Sequence, residues 1–175
     1  MDLLTYLYEM QKAYKKGKFK DLKELTEQIT NDLIQEFSTE GAELAILSYL
    51  LSKILTKRRF EEEHEDIVLD KLNEICKLGR GQDIAKSIKE LNDVVLEMES
   101  QDKRYVIDIL TKARIKIASK LYAKGISLGV VSKSFGIPQQ EIMSYAGKTM
   151  MFDRLKEEIS VRKRLKTAGV SLMGE

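Results

Sequence analysis

One histidine and one cysteine set the limits on catalysis in this sequence. His64 stands in the run Glu61-Glu62-Glu63-His64-Glu65-Asp66 and forms a Glu-x-x-His pair with Glu61, a spacing that turns both side chains to one helix face. A carboxylate-bridged metal pair needs that motif from two helices, and a single histidine supplies it once. An acidic first turn, favoured by the helix dipole, is the simpler reading. Cys76 falls among apolar residues of a helical pattern, so it reads as a small core side chain, and alone it forms no internal disulfide. Gly147-Lys148-Thr149 ends like a phosphate-binding loop, yet the glycine needed five positions earlier is Ile142 and no strand precedes it. Gly79-Arg80-Gly81 also follows no strand, which excludes a dinucleotide fingerprint. No Ser-His-Asp or Cys-His arrangement can be drawn, so no enzyme, metal or cofactor is expected.

The chemistry that remains is recognition. Gln139, Gln140, Met143 and Ser144 lie close together, and a glutamine amide can pair bidentately with adenine. Cations flank them. Lys112, Lys116, Lys120 and Lys124 recur every four residues and predict one basic ridge along a helix, with Arg114 off it. Lys148, Arg154, Lys156 and the run Arg162-Lys163-Arg164-Leu165-Lys166 follow. The net charge of +2 hides a split: residues 1–101 hold 15 Lys and Arg against 21 Asp and Glu, whereas residues 102–175 hold 15 against 7. A basic part of this kind suits a polyanion.

The elements that must position these residues are helical. Apolar residues recur at three and four, no segment alternates with period two, and the expected class is all-α. Leu3, Leu7, Met10 and Tyr14 form a first stripe that ends at Lys15-Lys16-Gly17. Leu22, Leu25, Ile29, Leu33 and Phe37 form a second, broken at Ser38-Thr39-Glu40-Gly41, where Ser38 or Thr39 can cap the next helix. That third helix is expected to run to about Arg58, apolar on more than one face and therefore central. A fourth carries Val68, Leu72, Ile75 and Cys76. Ile84, Ile88, Leu91, Val95 and Met98 are heptad-spaced, but the phase changes at Val106, which predicts a bend near Ser100-Gln101-Asp102 and an antiparallel helix pair. The expected organisation is an acidic N-terminal antiparallel bundle over 1–101, then a basic helix-turn-helix region with a C-terminal helix over 102–175.

Ser127 begins the informative segment as an N-cap after Gly125, a short helix runs to Phe135, and Gly136 supplies the positive φ of a sharp turn. Pro138 is expected in the first turn of the helix that follows. Val131, Phe135, Ile137, Ile142 and Tyr145 fill the apolar offsets around Gly136, and Ser132 is the small residue four before it. Over residues about 112–147 this pattern resembles the helix-turn-helix family of nucleic-acid-binding proteins. The resemblance implies that the second helix enters a major groove and that Gln139, Gln140, Met143 and Ser144 reach base edges. That helix departs from a strongly basic reader, because it has no arginine and is read as stopping at Gly147. Lys148 and Thr149 are read as a C-cap and the N-cap of a last helix from Thr149 to Ala168, carrying Met151, Phe152, Leu155 and Ile159.

The expectation is a DNA-binding regulator, transcriptional and homodimeric, with DNA preferred to RNA. Its interface would be Gln139, Gln140, Met143, Ser144, Lys148, Lys112, Lys116, Lys120, Lys124, Arg162, Lys163 and Arg164. Two alternatives stand beside it: a helical protein–protein adaptor or antitoxin-like partner whose motif only braces the bundle, and an RNA- or ribosome-associated protein. No run of eighteen apolar residues and no secretory signal is found, so no membrane partner and a cytoplasmic location are expected.

Overall fold

The computed structural model describes residues 3–56, 58–77, 84–100 and 109–154, with side-chain surroundings at 3–56, 66–77, 86–95 and 109–152. The chain is all-α, with no strand among the described residues. In order it forms α1 (Leu3–Lys15), α2 (Phe19–Gln35), α3 (Thr39–Ile54), α4 (Arg58–Lys77), α5 (Ile84–Ser100), α6 (Ile109–Ala123), α7 (Leu128–Phe135), α8 (Gln139–Lys148) and α9 (Met151–Arg154). These helices divide between two compact units, Met1–Leu33 with Phe37–Ala113, and Ile34–Glu36 with Arg114–Glu175.

In the first unit the core gathers around α3. Leu44, Ala45, Ile46 and Leu47 are consecutive and each at most 1% exposed, and four successive residues at about 100° apart sweep nearly the whole helix circumference. A helix buried on all sides must be wrapped by others, and α3 packs against α1, α4 and α5. Its start is set by Ser38, whose hydroxyl accepts a hydrogen bond from the Gly41 amide at 3.0 Å, so Ser38 rather than Thr39 is the cap. Its end comes earlier than the apolar pattern predicts, at Ile54 and not near Arg58. The Thr56 amide and hydroxyl both donate to the Lys53 carbonyl, the hydroxyl at 2.7 Å, occupying an acceptor that a continuing helix would need.

Several polar groups in this core are paired across helices. Ser48 on α3 donates to the Leu22 carbonyl on α2 at 2.8 Å, and the Thr26 hydroxyl lies 2.9 Å from that carbonyl and 3.0 Å from Ser48 Oγ. Asn92 of α5, 1% exposed, donates to the Glu43 carboxylate of α3 at 3.2 Å. Tyr8 of α1 donates to the Cys76 carbonyl of α4 at 2.9 Å, beside the contact between Gln11 and Asn73. Cys76 is buried, as its apolar run predicts, and that burial pushes its thiol pKa up, away from the reactive thiolate. Tyr6 of α1 donates to Asp32 of α2 at 2.8 Å, and burial, that hydrogen bond and the neighbouring carboxylate push its pKa up to about 12.

Ile88, Leu91 and Val95 of the heptad stripe are buried. Gln101 and Asp102 of the expected bend, the side chains of Glu61 to Glu65 and the last helix beyond Arg154 lie outside the described residues, while Asp66 is exposed. Among the described residues no helix is long and apolar enough to cross a membrane.

Replacing Ser48 by alanine should lower unfolding free energy by about 1–2 kcal/mol in urea titration, because the Leu22 carbonyl loses a buried donor. Tyr6 gives a pH signature. Its folded pKa of about 12 exceeds the ordinary 10.0, so its contribution is complete below pH 10 and is lost as pH rises through about 12. The urea midpoint of the wild type should therefore fall to or below that of Tyr6→Phe across this window.

Candidate nucleic-acid interface

The second unit places its polar surface by means of one turn. Ser127 caps α7 by accepting from the Val130 amide at 3.3 Å, and α7 ends at Gly136, whose φ of 62° and ψ of 31° are left-handed. That conformation closes the Ile137 amide onto the Ser132 carbonyl, and the Ser132 hydroxyl donates to the Ile137 carbonyl at 2.7 Å. Ser132 thus does more than stay small: it ties both sides of the turn. Pro138 stands just before α8 as its N-cap, not inside the first turn, and its carbonyl accepts from the Glu141 and Ile142 amides. Val131, Phe135, Ile137 and Ile142 are buried and Tyr145 is half-buried, so the five apolar offsets around Gly136 face inward to different degrees. A further tie comes from α6, where the buried Ser119 hydroxyl donates to the Ile142 carbonyl of α8 at 3.1 Å.

These anchors fix which face of α8 is outward. Ile142 and Ala146 are fully buried, while Gln139, Gln140, Met143, Ser144 and Lys148 are all exposed. The helix extends to Lys148, one residue beyond the stop expected at Gly147. Thr149 is not the N-cap of the next helix. It closes α8, its amide bonding the Tyr145 carbonyl and its hydroxyl donating to the same oxygen at 2.6 Å. Met150 then takes a positive φ of 51° before α9, and Phe152 meets Tyr122 of α6 edge to face, with centroids 5.3 Å apart.

The lysine ridge is shorter than its spacing implies. Lys112 and Lys116 are exposed on α6, Lys120 is half-buried, and Lys124 is 8% exposed just past the helix end. A step of four residues advances about 40° around a helix, so three steps rotate the last lysine by about 120°, off the solvent face. Lys124 is accordingly withdrawn from the basic surface. Arg162, Lys163 and Arg164 lie outside the described residues. Lys133, exposed on α7, adds a cation that the four-residue spacing did not reveal. Its signal was only its place opposite the apolar Val131 and Phe135.

Another concavity belongs to the first unit. It is a cleft of about 390 Å³ lined by Glu9, Lys12, Lys16, Lys18, Asp21 and Glu24 among others. Its charges are of both signs, with Lys12 at 3.8 Å from Glu9 and Lys18 at 3.5 Å from Asp21, so it favours neither an anion nor a cation. No group of His, Cys, Asp and Glu among the described residues is arranged to hold a metal ion.

Two glycines separate positioning from surface. Gly136 meets no atom within 4 Å where a Cβ would sit, so Gly136→Ala should destabilise through backbone conformation alone, by about 1–2 kcal/mol in urea unfolding. Gly147 also has open space around its Cβ position but lies within α8. Gly147→Ala should therefore raise stability by about 0.5–1 kcal/mol in the same measurement.

Comparison with family models, curated proteins and solved structures finds no match to this chain.

Proposed function

We propose that the chain binds duplex DNA through the outward face of α8, as a homodimeric transcription regulator of the cytoplasm. The observation that carries this reading is that Gln139, Gln140, Met143, Ser144 and Lys148 are together exposed on a helix whose other face is pinned by Ile142 and Ala146. A short helix held outward by a tight turn can enter a major groove and offer its first residues to base edges. The exposed Lys112, Lys116, Lys133 and Lys148 are suited to phosphates, and Arg162, Lys163 and Arg164 add charge in the sequence that follows. A duplex with symmetric half-sites would be met by two copies related by a two-fold axis. The role is one of binding, with no catalytic step assigned.

A protein-docking role is the competing reading. Val130, Met143, Met150 and Phe152 are exposed large apolar side chains of the same unit, a surface that a protein partner could cover.

Fluorescence anisotropy with labelled duplex DNA and duplex RNA across a salt series separates the readings. If about six cations meet phosphates, affinity for DNA should fall with a log–log slope near about −5. Lys148→Glu should weaken binding to all duplex sequences alike and reduce that slope by about 1. Tighter binding of RNA would move the proposal to that polymer. Binding of neither at low salt would overturn it in favour of protein docking.

A further inference from the structure

The arrangement of side chains on α8 bears on which bases would be read, an inference that rests on the DNA-binding reading above. With about 100° per residue, the direction midway between the buried Ile142 and Ala146 points into the unit. Opposite that direction stands Ser144, with Gln140 and Lys148 about 40° to either side of it; Gly147 follows on the Gln140 side, and Met143, about 60° beyond Gln140, marks the flank of the same face. Among the described residues no atom lies within 4 Å of the Cβ position at Gly147, so this part of the face is open.

Two of the exposed groups, Gln140 and Met143, favour different parts of one kind of base pair. The Gln140 amide presents a donor and an acceptor side by side, the complement of adenine N7 and the N6 amino group. Guanine shows two acceptors there, which call for arginine or lysine, and the single cation of α8, Lys148, lies at the far end of the helix. Met143 is 43% exposed and has an unbranched apolar side chain, and the apolar group in the major groove is the thymine C5-methyl. Residues 140 and 143 are about 4.5 Å apart along the helix axis, close to the 3.4 Å or so between successive base pairs.

We propose that α8 selects adjacent A·T base pairs, with Gln140 hydrogen-bonding an adenine edge and Met143 covering a thymine methyl group. Gln139, exposed at the first position of the helix, flanks this pair of contacts. Ser144 is short and bonds to any base or phosphate, so it adds contact without preference.

The test combines selection with chemical changes to the DNA. The full chain is incubated with a randomised duplex library, and the retained duplexes are sequenced. Enrichment of adjacent A·T pairs is expected. In the retained duplex, 7-deazaadenine removes N7 and deoxyuridine removes the thymine methyl. The first change should weaken the wild type about tenfold and leave Gln140→Ala unaffected. The second should weaken the wild type about fourfold and leave Met143→Ala unaffected. Both variants should keep the wild-type salt slope and helical circular dichroism, because the altered side chains are exposed. Retained duplexes without A·T enrichment, or DNA changes that cost wild type and variant equally, would overturn this inference and leave DNA binding standing. Failure to retain any duplex at low salt would remove both.

Discussion

A left-handed backbone at Gly136 governs the second unit. With φ at 62°, α7 stops at Phe135 and the chain enters α8 after only Ile137 and Pro138. An ordinary side chain in that conformation costs about 1–2 kcal/mol, and glycine avoids it. The turn is then closed from both sides by Ser132, through its carbonyl and its hydroxyl. Ser119 adds a buried bond from α6 to the Ile142 carbonyl. Without these ties α8, a helix of 10 residues, would be too short to persist in water, because nucleation is unfavourable and few bonds repay it. The outward presentation of its polar residues is therefore a consequence of packing, not of helix propensity.

The first unit solves a different problem. Helix α3 is apolar around its circumference, so its stability comes from being enclosed. The hydroxyls of Thr26 and Ser48 at the Leu22 carbonyl, and the Asn92 amide nitrogen at Glu43, bring polar atoms into that enclosure with their partners, whereas Asn92 Oδ1 is buried without one. Such pairs add little net energy, but they penalise any shift of one helix along another, because a displaced hydroxyl would be buried unpaired. The structure provides this unit with register, and Cys76 is buried in its core.

Charge is distributed with less regularity than the sequence suggests. The four-residue spacing of Lys112, Lys116, Lys120 and Lys124 reads as a ridge only if a helix had four residues per turn. At the true pitch the row winds, and Lys124 ends up 8% exposed. Lys133 and Lys148 stand on α7 and α8 themselves, which brings cationic charge to the elements that carry Gln139 and Gln140.

Local chemistry was legible from the chain alone. The helical class, the cap at Ser127, the turn at Gly136, the burial of Val131, Phe135, Ile137 and Ile142, and the exposure of Gln139 and Gln140 all follow from neighbours within a few residues. Boundaries were less legible: α3 ends at Ile54, where Thr56 takes the Lys53 carbonyl, and Thr149 closes α8 instead of opening the next helix. What only the tertiary structure decided are matters of long separation. Ser48 and Leu22 are 26 residues apart and Ser119 and Ile142 are 23 apart, and no spacing rule announces such pairs. A sequence fixes which groups seek partners, but which partner is in reach depends on how helices cross, and that is set by the packing of all of them together.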